Sequence, residues 1–439
     1  MAHPEKGSKK LLNAWAFYDW ANSVYSLVIA SAVFPIFYNK LIPEGEMLDV
    51  FGTSMKGTAL ISFVTAFAFL IVAFISPLLS GIADYAGNKK SFLKAFCYIG
   101  GLSCIGLYWF DRDNLYWSLV CYLFGLVGFW GSLVFYNSYL PDIAYPEQQD
   151  AVSAKGYSLG YIGSMILLIF NLAMIMYPEV FGIDEGDGLK TAIMAMRYSF
   201  VSVGIWWILF SQYSYYHLPK GVRRNKVTRD VLLNGFRELR KVWLQLKENI
   251  ELKRYLGAFF VYSMAVQTVM LAATYFGAEE INWPNEDAKS MGLIISILLI
   301  QLIAVAGALL TSRLSARIGN IKALIYINAV WAVICVGAWF VTEPAHFYVT
   351  AAFVGLVMGG IQSLSRSTYS KLLPETKDTA SFFSFYDVTE KIGIVIGMLL
   401  YGAIDQALNS QRYSVVFLTV FFVVGIVLLL RVPRRKTTS

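Results

Sequence analysis

The sequence predicts an all-α integral membrane protein with twelve transmembrane helices in two pseudo-symmetric six-helix bundles. Three observations predict it. The 439 residues are 57% hydrophobic and only 15% charged, whereas a soluble domain carries about 25% charged residues to cover its surface. Apolar runs such as "TALISFVTAFAFLIVAFISPLLS" (58–80) reach the roughly 20 residues that cross about 30 Å of hydrocarbon as helix, where every backbone polar group must be satisfied internally. Finally, two landmarks recur at nearly one offset. "SGIADYAGNKKSFL" (80–93) and "SRLSARIGNIKAL" (312–324) align Gly87 with Gly319, 232 residues apart, and "SYLPD" (138–142) and "KLLPE" (371–375) align Pro141 with Pro374, 233 apart. The halves therefore read as parallel repeats.

The twelve spans lie near 13–38, 56–82, 93–110, 115–140, 152–176, 195–218, 255–277, 289–312, 321–341, 346–370, 380–404 and 412–431. The first has a basic lead, and "IASA" (29–32) resembles a cleavage site. A secretory leader would not tolerate Asp19 and Asn22 in its apolar core, so this is read as an uncleaved helix. Connections 83–94, 219–254, 311–322 and 431–436 are basic, while 39–55, 177–190 and 277–290 are acidic. Retention of Lys and Arg on the inside puts both termini in the cytoplasm, at the inner membrane if the cell is bacterial. The acidic connection 141–150 is an exception on the side that should be basic.

The domain division expected is 1–218, a basic linker 219–254, and 255–439. From Lys220 to Arg254 there are eleven Lys/Arg and four Asp/Glu, and Leu232, Phe236, Leu239, Trp243, Leu246 and Ile250 make one apolar helical stripe. Two readings stand: a helix whose basic face meets anionic lipid of the inner leaflet, or one packed on the protein's own inner face.

Cys97, Cys104, Cys121 and Cys335 all lie in apolar spans and read as small core residues. The three histidines, His3, His217 and His346, sit in the tail or at span ends. Neither a metal cluster nor a histidine proton relay can be assembled from them, and no phosphate-binding glycine loop occurs. "GYSLG" (156–160) matches the hydrolase nucleophile pattern but opens a membrane helix instead of following a strand. An enzyme is not expected, nor a cofactor, nor a nucleic-acid partner, and the protein is expected to be a monomer. Gly156 and Gly160, like Gly393 and Gly397, suit close helix packing.

Candidate functional residues are the polar groups inside the spans, where ionisable side chains are costly unless paired or facing water. Asp19 lies about eight residues into the first span, near 12 Å deep at about 1.5 Å per residue. The eleventh span, "SFFSFYDVTEKIGIVIG", repeats Phe-Tyr-Asp and places Asp387 at similar depth, with Glu390 one turn further. Lys391 follows Asp387 by four residues, the spacing at which the two can pair on one face. Arg366 adds a cation in the tenth span. Either these groups serve a transported solute or they form an ion-pair cluster bracing a gate. Trp15, Asp19, Asn22 and Ser26 share one helical face, as do Ser263, Gln267 and Thr274, and Gln362, Arg366 and Tyr369. Asn137 is the corresponding polar group in the fourth span.

The architecture resembles that of major facilitator transporters. The turn after the second span resembles their D-x-x-G-x-[RK]-[RK] loop, here Asp84, Gly87, Lys89 and Lys90, with Ser80 where a glycine is usual. Gly87 permits a tight turn, the lysines hold the loop inside, and Asp84 can latch on a cation or a helix N-terminus. Ala316 replaces the aspartate in the second half. "AWAFYDWANSVYS", "VFYNSYLPDIA", "GYSLGYIG" and "GGIQSLSRSTYSKLLPE" resemble the vacuole-effluxer-like branch of that superfamily along nearly the whole chain, the block Tyr18–Ser23 being most specific. The resemblance implies a secondary transporter for a small polar solute, an amino acid or short peptide, worked by alternating access. Asp19 would bind a proton or substrate amine, Asp387, Glu390 and Lys391 would be the coupled group, and Arg366 would meet a substrate carboxylate or brace the gate. The first helix of each three-helix repeat would line the cavity. A transport-inactive sensor or assembly protein is the alternative.

Overall fold

The computed structural model describes residues 5–43, 45–50, 52–221, 231–408 and 410–433. Part of the basic linker and the end of the 431–436 connection lie outside them. Among the described residues, twelve helices are long and apolar enough to cross a membrane: Lys9–Leu41, Gly57–Ala86, Lys89–Trp109, Leu115–Ile143, Pro146–Met176, Gly188–His217, Ile250–Glu279, Glu286–Ile318, Asn320–Phe340, Pro344–Leu372, Thr379–Leu408 and Gln411–Leu430. They are spans 1 to 12 below. Most outrun the apolar runs by several residues, because hydropathy marks only the part that needs hydrocarbon. The protein is a multi-pass membrane protein.

Local chemistry sets the ends. The side chains of Asp187, Asn249 and Asn285 accept from backbone N–H groups three residues on, at 2.8–3.0 Å, and start spans 6, 7 and 8. Such caps satisfy donors that have no partner within the helix. Span 2 ends at Gly87, whose φ of 69° is left-handed. The Gly87 N–H meets the Asp84 carbonyl at 3.3 Å and the Asn88 N–H the Ala83 carbonyl at 3.0 Å, a pairing that closes a helix and favours glycine. Gly319 holds the matching place after span 8, again with positive φ. Span 4 breaks after Asn137 and resumes at Leu140, as expected where Pro141 cannot donate to the preceding turn. Span 1 is not uniform either. Its residues Tyr25–Val33 form a π-helical stretch before Phe34–Leu41, ending where the Pro35 ring would crowd the carbonyl of Ser31.

The chain divides into two compact units, residues 1–139 with 159–236, and residues 140–158 with 237–439. Within the first, a Cβ on Gly128 of span 4 would overlap the Gly100 backbone of span 3. Span 5 also packs on span 1, where a Cβ on Gly160 would collide with Ser23 Oγ. Within the second unit, Gly355 and Gly359 of span 10 face the Ile300 and Ala304 carbonyls of span 8, with no room for a Cβ at either. Such backbone-to-backbone contact is how helices associate where lipid removes the hydrophobic drive. A Gly359→Leu change would force the two helices apart.

The linker helix, Val231–Glu248, buries only part of the stripe the sequence suggests. Gly235, Val242 and Leu246 are buried, whereas Phe236, Trp243 and Ile250 are 59%, 44% and 59% exposed. The Leu232 side chain lies outside the described residues. Close approach fixes the rotation, since a Cβ on Gly81 of span 2 would meet the Gly235 carbonyl at 2.5 Å. Further along, Lys241 Nζ lies 2.8 Å from Asp378 Oδ2. That hydrogen bond raises the lysine's pKa above its ordinary value, so the contact contributes fully at neutral pH and is lost only as pH rises through the raised value.

Candidate functional site

Span 11 carries three charged side chains within five residues, and helical geometry stacks them. Lys391 Nζ lies 2.9 Å from Asp387 Oδ1 and 3.3 Å from Glu390 Oε2. The Lys391 side chain is 2% exposed, that of Asp387 8% and that of Glu390 18%. Desolvating charges is offset only where pairing is close and the remaining lone pairs find donors. Span 7 supplies one, as Gln267 Nε2 donates to Glu390 Oε1 at 2.8 Å. The group therefore holds two carboxylates and one ammonium, a formal −1.

Glu390 and Gln267 line a pocket of about 270 Å³ together with Gln362, Phe259, Tyr262 and Tyr157. Ser263, Ser365 and Tyr386 also border it. Phe259 and Tyr386 stack at 4.1 Å between centroids, and Tyr262 Oη lies 2.8 Å from Ser365 Oγ. Spans 5, 7, 10 and 11 thus converge on one cavity, with a single charged lining residue among the described residues.

Arg366 does not line it. The guanidinium is 2% exposed and lies 4.2 Å from the Tyr157 ring centroid. Its Nε donates to Ser153 Oγ at 2.9 Å and its Nη2 to the Ser153 carbonyl at 3.0 Å. Arg366 braces span 10 to the first turns of span 5, with Tyr157 on its ring face. Tyr369, on the same expected stripe, donates to the Phe382 carbonyl at 2.6 Å, and Thr274 is exposed.

Asp19 and Asn22 belong to the first unit, where they are 4% and 1% exposed. Tyr136 Oη donates to Asp19 Oδ2 at 2.8 Å. The Trp15 indole stacks on Tyr136 at 4.6 Å and donates Nε1 to its carbonyl at 2.9 Å. Tyr136 is the residue that sequence reasoning missed, one position before Asn137. Its partner lies 117 residues away, and only the phenol inside "VFYNS" hints at a buried hydroxyl. The π-helical stretch begins three residues after Asn22, and such widening clusters at functional sites.

At the turn after span 2, Asp84 is buried and both lysines serve helix ends. Lys89 Nζ donates to the Ser138 carbonyl at 3.1 Å after the main segment of span 4, and Lys90 Nζ to the Leu218 carbonyl at 2.6 Å after span 6. Cations there satisfy free carbonyls and complement the helix dipole. In the second unit the acid missing at Ala316 comes from elsewhere. Asp150 accepts from Lys371 Nζ at 2.6 Å, Asn320 Nδ2 at 2.8 Å and Ser315 Oγ at 3.0 Å. Asp150, one of the acids of the 141–150 connection, is thus buried against a lysine. Ser158 of "GYSLG" lies within the continuous helix Pro146–Met176.

The family described as "Vacuole effluxer Atg22 like" matches residues 7–439. The chain belongs to that family. It is 31% identical to "Uncharacterized MFS-type transporter YxiO" of Bacillus subtilis over 97% of this chain and 96% of that protein. It is 26% identical to "Autophagy-related protein 22" of Eremothecium gossypii over 79% of this chain and 72% of the other. Among solved structures, a variant of the Escherichia coli fucose:proton symporter FucP superposes with a TM-score of 0.71 at 14% identity, covering 97% of this chain and 98% of that one. The proton:xylose symporter XylE gives 0.68 at 13%, covering 97% and 96%. The fold is the major facilitator fold. In this Atg22-like chain the block Tyr18–Ser23 contains both Asp19 and Asn22 of the first unit.

Proposed function

We propose that this protein is a secondary transporter that moves a small polar solute by alternating access of two six-helix halves, 1–218 and 255–439, joined by the linker 219–254. The observation that carries the reading is the cavity of about 270 Å³ lined by Glu390 and Gln267, with the Asp387–Lys391 pair directly behind. A carboxylate with neutral donors at a water-reachable surface can exchange a proton or a bound cation, and intramembrane ionisable groups mark such pathways. Names of relatives and structural neighbours as transporter or symporter support it. Gln362 would orient the solute, Arg366 would hold span 10 in place, and Asp19 with Asn22 would be a second polar station. The loop Asp84, Gly87, Lys89 and Lys90 would gate. A free amino acid would set its ammonium at Glu390 and would need hydrogen-bond donors opposite for its carboxylate.

Uptake into proteoliposomes under an imposed pH gradient tests the function, with a panel of amino acids, amines and sugars. At least one solute should accumulate above protein-free vesicles, and Glu390→Gln should lose that accumulation. No accumulation of any solute would favour the transport-inactive alternative.

The working orientation has both termini and the linker on the cytoplasmic face, as a monomer, with the exposed Phe236 and Trp243 and the neighbouring Arg and Lys against anionic lipid. Single cysteines at 225 and 436, in a background without the native four, should resist an impermeant thiol reagent in intact cells and react after lysis. Labelling without lysis would reverse the orientation.

A further inference from the structure

We infer that the pocket is built for a small organic monocation, a protonated amine without a carboxylate, and discriminates against the corresponding amino acid. The inference rests on the transporter reading for its biological meaning but on the pocket alone for its chemistry.

The charge of the lining is one-sided. Among the described residues, Glu390 is the one charged side chain lining the cavity. The two cations nearest in sequence to the lining residues are committed elsewhere. Lys391, 2% exposed, is closed against Asp387 and Glu390 on its own helix. Arg366 is held by Ser153, with the Tyr157 ring stacked on its guanidinium. Tyr157 itself lines the pocket. Several neutral donors already have partners. The Gln267 amide donates to Glu390, that of Gln362 reaches Met270 Sδ at 3.5 Å, and Tyr262 Oη is shared with Ser365 and Tyr255 at 2.8 and 3.2 Å. A carboxylate entering this space would lose its water and face Glu390 with no lining cation to meet it.

For an ammonium the same walls are favourable. Glu390 provides the charge, and Phe259, Tyr262 and Tyr386 line the same space, where an aromatic ring can attract a cation that sits over its face within about 6 Å of the centroid. One carboxylate matches one positive charge, so a diamine would leave its second ammonium against apolar wall.

The test compares pairs differing only in the carboxylate: tyramine with tyrosine, and phenethylamine with phenylalanine, by calorimetric titration of the purified full-length protein. Each amine should bind about tenfold or more tightly than its amino acid, the scale of one unpartnered polar group. Glu390→Gln should abolish amine binding, and Phe259→Leu, which keeps the carboxylate, should weaken it several-fold. The second variant decides the matter if the first does not fold. Equal or tighter binding of the amino acids, tyramine affinity untouched in both variants, or no binding of either amine would overturn the inference. Accumulation of a sugar or amino acid in vesicles without amine binding would overturn it too, while leaving the transport reading standing. Amine binding with no transport of any solute would instead remove the transport reading and keep the site chemistry.

Discussion

Lys391→Met should strip the protein of most of its folded yield, and adding Asp387→Asn should return it. The single change leaves Asp387 and Glu390 as two carboxylates on one helix turn with their shared cation gone, a formal −2 where the native group is −1. Breaking a buried ion pair from one side costs about 3–5 kcal/mol, and the whole stability of a folded domain is only about 5–15 kcal/mol. Asp387, 8% exposed, would then keep its charge with little access to water. The double variant restores −1, carried by Glu390, whose Oε1 keeps the 2.8 Å hydrogen bond from Gln267. The measurement is melting temperature and monodisperse yield in detergent for the three forms. A Lys391→Met protein that melts with the native one would show that the 2.9 Å contact to Asp387 contributes nothing, and a double variant no better than the single would place the defect in packing.

How far the sequence anticipates this structure depends on the range of the interactions involved. The spans are legible because length and hydropathy answer to a fixed membrane thickness, and Gly87 because its left-handed turn is local. Gln267, Gln362 and Glu390 stand out as polar groups in apolar helices, yet their convergence needs spans 7, 10 and 11 to be packed. Arg366 shows the limit most clearly. Its charge and depth suggest a ligand for a solute, but its geometry is decided by Ser153, 213 residues away. The same holds for Asp150, whose acidity looks misplaced until Lys371 is beside it. The linker helix presents an obvious apolar stripe, yet only part of it is buried, alongside Gly235, whose close approach no hydrophobicity count registers.

Asp19→Asn should leave the protein folded and abolish gradient-driven accumulation. The substitution keeps size and an oxygen to accept the 2.8 Å hydrogen bond from Tyr136 Oη, and it removes the charge. Hydrogen bonds to a charged group contribute about 1.5–3 kcal/mol against about 0.5–1.5 kcal/mol for neutral ones, so the loss of stability should be small. What disappears is a group that changes charge when it takes a proton or a cation. Tyr136→Phe is the complementary change: it removes the donor, keeps the carboxylate, and leaves the stacked ring over Trp15 intact. If Asp19 works through its charge, Asp19→Asn should still exchange solute at equal concentrations on both sides while accumulation under a pH gradient falls to that of protein-free vesicles, and Tyr136→Phe, which keeps the carboxylate, should retain accumulation. A structural latch behaves otherwise. Both variants would then lower melting temperature together and transport at the native rate per folded molecule, and that outcome would remove Asp19 from the transport pathway.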